Sequence, residues 1–365
     1  MGFFRFFLTL VVVITHTEPL FGFTFINGEM AVKGFYMISG FYMTLVLNEK
    51  YIGPNKSYKL FITNRLMRIY PMYWVVISVM VISSLAYGFI SNGTNYGILN
   101  PYVDNFDLLQ PTTLIILIFS NIFIFFQDLL VFVEIDQITG LLKFQPHFGK
   151  DYLKGHHFAI IFPVWTIGLE LLYYLVAPFI VRKKNSIVIA CIILSLLIDY
   201  LIRYEIGLRY ISWNLRFFPN ELCFFLYGTL AYRLYKNKTY LSWNYLYYIS
   251  GVLLLIMSLT YPLIDFGLKY VSYFLVLFIV MPFLFEQTKN NKLDRYIGDL
   301  IYPVYICHMF IIITVSSTGL FIYNKGITVI ITSIITAIGL KYFINDKVEN
   351  YRQKRLKKTP LSFKK

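Results

Sequence analysis

Apolar stretches, each about as long as a bilayer-crossing helix, dominate the sequence. A helix needs about 20 mainly apolar residues to cross the hydrocarbon core of a membrane. With 58% hydrophobic and 14% charged residues, this 365-residue chain has more apolar side chains than one soluble core can bury. We therefore expect an all-α, polytopic transmembrane helical bundle. The candidate stretches are residues 3–22, 30–47, 70–90, 112–133, 158–181, 187–202, 214–232, 245–262, 269–286, 298–318 and 326–344.

The loop charges decide how many of these stretches cross. Lys and Arg accumulate on cytoplasmic loops. If 112–133 does not cross and both termini are cytoplasmic, the inner segments hold 23 of the 33 basic residues, while nine, including Lys33 and Arg216, are outside. If it crosses, the basic run 182–184 is outside. The pattern therefore favours ten spanning helices plus one re-entrant or outer-face helix within 91–157. Such non-spanning backbone at membrane depth indicates a cavity.

The chain is expected to form one transmembrane domain, 1–345, followed by a basic cytoplasmic tail, 346–365. We find no internal repeat and no stretch polar enough for a separate soluble domain. The net charge of +14 is spread between apolar stretches, which is typical of membrane topology signals and not of a nucleic-acid site. The cysteines lack the spacing of a disulfide framework or metal site, so we predict no metal.

Four polar residues lie near the middle of predicted spans: His16, Ser39, Glu170 and His308. Ionisable side chains inside a membrane are costly and usually face a bundle interior or a water-filled cavity, so they are candidate functional residues. The alternative is that they only bond neighbouring helices, and that the Ser-Gly pair only allows close helix contact. The other histidines, in the outer region, are expected to be solvated: His147, His156 and His157.

Arginines lie near the predicted cytoplasmic surface. Arg5 and His16 are eleven positions apart, which places them on one helix face about 16 Å apart along the axis. Arg65 and Arg68 are three apart and also share a face, and guanidinium groups suit phosphates. The alternatives are snorkelling by Arg5, and topology signals or anionic-lipid contact for the other pair.

Five segments, taken in order, resemble the acyltransferase-3 family, whose members are membrane acyltransferases that modify bacterial cell-surface carbohydrates. This sequence departs from the family pattern at Lys33, at Thr166 in place of serine, and at a single Glu170 in place of a Glu-Glu pair. The matching segments are Arg5-x10-His16, Phe35-Tyr36-x-x-Ser39-Gly40-Phe41, Arg65-x-x-Arg68, Trp165-Thr166-x-x-x-Glu170 and Tyr302-x-x-Tyr305-x-x-His308.

The resemblance implies transfer of an acyl group, most often acetyl, from cytoplasmic acetyl-CoA to a hydroxyl of a lipid-linked or cell-surface glycan, such as lipopolysaccharide or capsule. It implies acyl-CoA, a glycan acceptor and the lipid bilayer as partners, with no nucleic acid. The location implied is the bacterial inner membrane, with cytoplasmic N- and C-termini. Many relatives carry a C-terminal extracytoplasmic domain, whereas this chain ends in a short tail, so a separate envelope or polysaccharide-assembly partner is possible.

On this resemblance, Arg5, Arg65 and Arg68 would bind the phosphates of the donor. His16 would act as the general base that takes the proton of the acceptor hydroxyl. His308 would stabilise the thioester oxyanion or act as a second acid or base.

Three further residues would support the reaction. Glu170, as a third catalytic residue, or Tyr305 would orient an imidazole, and Trp165 would support the site. The chemistry also leaves open an acyl-enzyme intermediate, with Ser39 or a histidine as carrier.

Two other classes of protein compete with this interpretation. A transporter or flippase of lipid-linked saccharides would also have many spans and buried ionisable residues, but it predicts internal repeats. A structural subunit of a polysaccharide-assembly complex would leave the mid-membrane histidines and Glu170 without a role.

Overall fold

The computed structural model describes residues 1–20, 22–23, 25–147, 152–238, 244–320 and 324–357. Within these ranges the chain is helical apart from turns and one small antiparallel hairpin, formed by β1 (Val133–Ile135) and β2 (Leu142–Phe144), in which Glu134 lies opposite Lys143. The helices are α1 (Gly2–Thr15), α2 (Gly28–Glu49), α3 (Tyr58–Ile90), α4 (Asn100–Asp104), α5 (Pro111–Phe123), α6 (Trp165–Ile180), α7 (Asn185–Tyr200), α8 (Ile211–Arg216), α9 (Phe218–Lys236), α10 (Asn244–Thr260), α11 (Lys269–Thr288), α12 (Lys292–Thr318), α13 (Lys325–Leu340) and α14 (Asp346–Lys357).

Seven helical segments in the described part of the chain are long and apolar enough to cross a membrane. They contain α2, α3, α6, α7, α11, α12 and α13. The expectation of an all-α, polytopic membrane protein is thus confirmed. The count of ten spans stays a prediction, because α1, α9 and α10 coincide with predicted spans but are not among these seven.

The helix α5 occupies the stretch that the loop charges place outside the set of spans. It has 13 residues, so it is about 20 Å long and shorter than a hydrocarbon core of about 30 Å. It begins at Pro111, whose missing N–H costs nothing at a helix start, and it ends before Ile124, which has a positive φ of 64°. This length agrees with a helix that does not span.

The centre of the bundle is the contact between α2 and α9, where two glycines let the backbones touch. A Cβ on Gly40 would lie 1.8 Å from the carbonyl oxygen of Phe225, and a Cβ on Gly228 would lie 1.8 Å from that of Met37. Small residues at helix crossings are typical of membrane bundles. Gly40 therefore provides the close helix contact. The hydroxyl of the neighbouring Ser39 is not needed for this contact and can have a different role.

Lys33, which the charge count assigned to an outer segment, lies inside this core. Its ammonium group is 2.9 Å from a carboxylate oxygen of Glu29 and 3.4 Å from one of Glu221, and it donates a hydrogen bond to the Tyr270 hydroxyl. The sequence prediction for Lys33 is wrong because two carboxylates on neighbouring turns and helices neutralise its charge within the bundle.

The helices α1 and α12 start together and run side by side. The Asp294 carboxylate accepts hydrogen bonds from the backbone N–H groups of Gly2 and Phe3, at 2.8 and 2.9 Å, which satisfies donors at the start of α1. His16 lies fourteen residues after Gly2, and His308 lies fourteen residues after Asp294. The shared starting point and equal spacing bring the two histidines to one depth.

The first twelve residues of the predicted tail form α14, which packs on α3. The Arg352 guanidinium donates to the carbonyl oxygen of Asn64, and that of Arg355 donates to the Thr63 hydroxyl. The remaining tail residues, 358–365, lie outside the described residues, and the division of the chain at 345 stays a prediction.

Candidate functional site

Two histidines that are far apart in the sequence meet inside the bundle. The imidazole centroids of His16, at the end of α1, and His308, in α12, are 5.6 Å apart, and the ring planes differ by 31°. A third ring, that of Phe162, stands edge-on to His16 at 6.4 Å. The structure therefore joins the first and last histidine motifs into one cluster.

The hydrogen bonding of His308 sets which nitrogen is available. Its Nδ1 lies 2.6 Å from the carbonyl oxygen of Tyr305, which can only accept, so Nδ1 carries the hydrogen. In the neutral ring the lone pair is then on Nε2, which is buried and has no partner in the described structure. His16 is half-buried, and its ring makes no hydrogen bond to a described residue. Both rings thus offer a nitrogen for chemistry.

Glu170 binds hydroxyl groups and not an imidazole. Its Oε1 accepts hydrogen bonds of 2.6 Å from both the Ser39 hydroxyl and the Tyr174 hydroxyl. A single carboxyl oxygen thus accepts from two hydroxyl groups. The structure does not bring Glu170 into contact with either histidine of the pair, and it places Ser39 against a carboxylate.

Tyr305 orients an imidazole through its backbone carbonyl, while its hydroxyl serves a different contact. That hydroxyl donates to the carbonyl oxygen of Pro163 at 2.9 Å and lies 2.5 Å from the Thr166 hydroxyl. Thr166 keeps the hydroxyl group of the serine that it replaces in the family pattern. These contacts connect α12 to the start of α6, where Trp165 begins the helix.

The three arginines proposed to bind the donor donate no side-chain hydrogen bond to a described residue. Of the eleven arginines in the sequence, seven donate side-chain hydrogen bonds to described residues, and four do not. Neither do these four form ion pairs there. They are Arg5, Arg65, Arg68 and Arg216.

Arg5, Arg65 and Arg68 lie at the end of the bundle that the loop charges predict to be cytoplasmic. Arg5 is within electrostatic range of Arg68 and Glu170, and its guanidinium lies over the Tyr42 ring at 5.5 Å. Arg65 is buried, and its Nε has no partner. Glu170 is within electrostatic range of Arg5, and Glu349 is within range of Arg68, but neither carboxylate forms an ion pair with these arginines, and arginine forks match phosphate oxygens.

Arg216 is the fourth unpaired arginine, and the sequence analysis counted it among the charges of the outer segments. It is 9% exposed, and its guanidinium carbon lies 4.6 Å from the centroid of the Trp165 ring and 4.9 Å from that of Phe162. Its burial follows because the aromatic residues around it, Trp213 and Phe217, belong to the core, and its place on the outer side of the membrane stays a prediction. The aromatic residues next to Arg216 in the sequence were the signal that could have predicted its burial.

Asp128 is a second residue that the sequence analysis missed. It is fully buried in the turn after α5, and neither carboxylate oxygen receives a hydrogen bond from another described residue. Gly168 leaves space for it, since a Cβ there would lie 3.2 Å from Oδ1. Burial raises the pKa of Asp128 to about 7, against the opposing effect of Arg216. Its position within an apolar stretch was the signal that could have identified Asp128 as a candidate, as it identified Glu170.

The histidines of the outer region differ in exposure. His147 and His157 are exposed, as expected. His156 is half-buried, with Nδ1 inside the protein, and its ring lies 6.0 Å from Phe162, so its predicted solvation is wrong. Burial lowers the pKa of His156 to about 3, with the nearby positive charges adding to the effect. Among residues that the structure describes, no three potential ligands gather as a metal site would require.

Candidate spans packed around these buried polar groups define a polytopic membrane protein with an internal site. The family model of the acyltransferase domain Acyl_transf_3 matches residues 1–346, and the chain belongs to this family. It is also similar to ORF330 of Acidianus two-tailed virus, a protein provisionally named an acetyltransferase. Identity is 29% over 175 residues, which cover 44% of this chain and 51% of the viral protein, so the match spans about half of that relative. No solved structure matches the chain.

Proposed function

We propose that this protein transfers an acetyl group from acetyl-CoA to a hydroxyl of a cell-envelope glycan, at the His16–His308 pair. Membership of the acyltransferase family supports acyl transfer. The observation that carries the proposal is the histidine pair, 5.6 Å between ring centroids, which lies between an end with three unpaired arginines and an opposite end with an unpaired arginine and carboxyl group.

Acetyl-CoA fits the three unpaired arginines because its phosphates supply the missing anions. Arg65 is buried, so a phosphate there would relieve an unpaired charge of a kind that is costly in a protein interior. Lys50 and Arg352 lie within electrostatic range of Arg65 and Arg68 and strengthen the positive potential at this end. The thioester can then extend toward the histidines, as the shared face of Arg5 and His16 suggests.

The reaction uses His16 first as the base and then as the acid. The acceptor hydroxyl oxygen attacks the thioester carbonyl carbon, and the imidazole of His16 takes the hydroxyl proton. The carbon–sulfur bond then breaks, and the proton passes to the thiolate, so that the products are an acetyl ester and free coenzyme A. His308 acts as a positioning residue, because its bare Nε2 can accept a hydrogen bond from the His16 ring, directly or through one water.

The family resemblance and the loop charges together suggest where each substrate comes from. With both termini in the cytoplasm of a bacterium, the arginine-rich end would face cytoplasmic acetyl-CoA, and the opposite end would face the lipid-linked or surface glycan. The site would then pass only the acetyl group across the inner membrane.

The test starts with purified protein, labelled acetyl-CoA and a well-folded His16→Ala variant. We expect the wild type to bind and consume the donor, and the variant to bind it but to lose about 10²–10⁴ in transfer rate. His157→Ala is the matched control, since His157 is exposed and its ring contacts that of His156, which is not a member of the pair. Full transfer activity in His16→Ala would refute the base assignment.

The acceptor is identified by comparing envelope glycans from cells with and without the gene. A mass difference of one acetyl group on a glycan, restored by the wild-type gene and not by His16→Ala, is the expected result. Identical glycans, together with a purified protein that ignores acetyl-CoA, would contradict the proposed function as a whole.

A further inference from the structure

The unpaired guanidinium of Arg216 requires an explanation beyond donor binding. It lies on the opposite side of the histidine pair from Arg5, Arg65 and Arg68, at the end of the short helix α8, just before α9. Its contacts in the described structure are the faces of Trp165 and Phe162, which leave its N–H donors without acceptors. A buried guanidinium in that state is costly unless a bound molecule supplies oxygen atoms.

The carboxyl group of Asp128 lacks hydrogen-bond donors, just as the guanidinium of Arg216 lacks acceptors. Its two oxygens are buried without donors from other residues, and the hydroxyl of Tyr36 is also buried without a partner. Asp128 is within electrostatic range of Arg216 and of Tyr36, yet it does not form an ion pair with Arg216 in the described structure. Arg216 and Asp128 are thus both buried and within electrostatic range of each other, and neither is paired in the described structure.

These groups adjoin the histidine pair. The guanidinium carbon of Arg216 lies 4.9 Å from the centroid of the Phe162 ring, and this centroid is 6.4 Å from that of the His16 imidazole. The guanidinium and the imidazole therefore contact the same side chain. Arg216 is also within electrostatic range of His16. A molecule held between Asp128 and Arg216 would therefore present its next functional group to His16.

We propose that Asp128 and Arg216 form the acceptor subsite and bind two hydroxyl groups of a neutral sugar beside the hydroxyl that is acetylated. This inference rests on the proposed function, and it defines the acceptor as an uncharged glycosyl unit. Asp128 accepts from one hydroxyl, Arg216 donates to another, and the Tyr36 hydroxyl completes the set.

A neutral polyol fits better than an ionic acceptor. Each sugar hydroxyl both donates and accepts, so one ring can satisfy a carboxyl group and a guanidinium at once. An anionic acceptor would satisfy Arg216 but would place a second negative group against Asp128, and a cationic one would be repelled by Arg216. The guanidinium of Arg216 and the carboxyl group of Asp128 therefore select against both kinds of ionic acceptor.

The first test uses Asp128→Asn and Arg216→Gln in the full chain, purified in detergent and expressed in a host without its own enzyme. We expect both variants to bind labelled acetyl-CoA as the wild type does, and to lose at least about 10²-fold in glycan acetylation, because a site built for substrate hydroxyls discriminates strongly through them. Mass spectrometry of lipid-linked precursors and of finished polymer shows which carries the acetylated sugar.

Asp199→Asn and Arg203→Gln are the matched controls, and they should leave acetylation unchanged. The same two substitutions are made there in residues of a neighbouring helical segment, but Asp199 and Arg203 pair with each other at 2.6 Å. Wild-type acetylation in Asp128→Asn or Arg216→Gln would overturn the subsite, and so would an equal loss of acetyl-CoA binding, which would place both residues at the donor.

A second assay does not depend on acetyl transfer and separates this inference from the proposed function. Methyl glycosides of glucose, galactose and rhamnose are added to wild type and variants at high concentration, with glucuronate as the anionic comparison, and the melting temperature is measured. At least one neutral glycoside should stabilise the wild type and neither variant. If none does, or if glucuronate does instead, the subsite is refuted even where acetyl-CoA is consumed.

Discussion

The histidine pair makes a sharp prediction about non-additive mutations. If His308 acts by positioning His16, then removing either imidazole removes the same catalytic contribution. General-base catalysis is worth about 10²–10⁴ in rate, or about 3–5 kcal/mol of transition-state stabilisation. We expect His16→Ala and His308→Gln each to lose transfer activity on this scale, with donor affinity retained.

The double variant measures the coupling between the two rings. Residues more than about 7–10 Å apart usually contribute additively, but these ring centroids are 5.6 Å apart. We expect the double variant to be within about tenfold of the worse single variant, as for catalytic residues that act as a unit. The coupling energy would then be close to the whole effect of one single substitution, about 3–5 kcal/mol.

The assay is single-turnover transfer from labelled acetyl-CoA, with melting temperatures recorded for all four proteins. His308 is fully buried, so glutamine is used there to limit the cavity that alanine would leave. The reasoning is refuted if the two losses multiply, giving about 10⁴–10⁸ in the double variant, since independent roles would do that.

Three further predictions concern the donor end, the helix crossing and the buried carboxyl group. Arg65→Ala and Arg68→Ala should each weaken acetyl-CoA binding about 10–100-fold, measured by calorimetry, since charged hydrogen bonds are worth about 1.5–3 kcal/mol; exposed Lys59→Ala on the same helix is the control. Gly40→Ala should lower thermal stability, because its Cβ would overlap the Phe225 carbonyl, whereas Gly339→Ala meets no atom within 4 Å and should stabilise by about 0.5–1 kcal/mol. Burial raises the pKa of Asp128 to about 7, so its ionisation destabilises the folded state increasingly as the pH rises from about 4 to about 7. Asp128→Asn should therefore raise the melting temperature at about pH 8 and change it little near pH 4; a lower melting temperature at both would contradict this account.

The membrane class and most of the candidate site follow from local features of the sequence. Runs of apolar residues predict helices in lipid because the bilayer leaves few other ways to satisfy the backbone. His16, Glu170 and His308 stand out because a polar side chain in such a run is costly, and this cost is visible without coordinates. The same reasoning, applied to the stretch 112–133, would have found Asp128.

What required the tertiary structure is the pairing of charges and the division of roles. Arg216 and Lys33 look alike in the sequence, as single basic residues near apolar runs. In the fold, Lys33 lies between the carboxylates of Glu29 and Glu221, whereas Arg216 contacts aromatic rings and has no described counter-ion. Whether a buried charge is compensated depends on residues up to 188 positions away, as with Lys33 and Glu221, so no local pattern reveals it.

The same limit applies to Glu170 and to the depth of the histidines. Nothing in the sequence near Glu170 shows that its partners are the hydroxyls of Ser39 and Tyr174 and not an imidazole. The match in depth between His16 and His308 arises because Asp294 holds the start of α1 beside that of α12. Helix register across the bundle is set by such long-range contacts, and it is this register that turns separate motifs into one site.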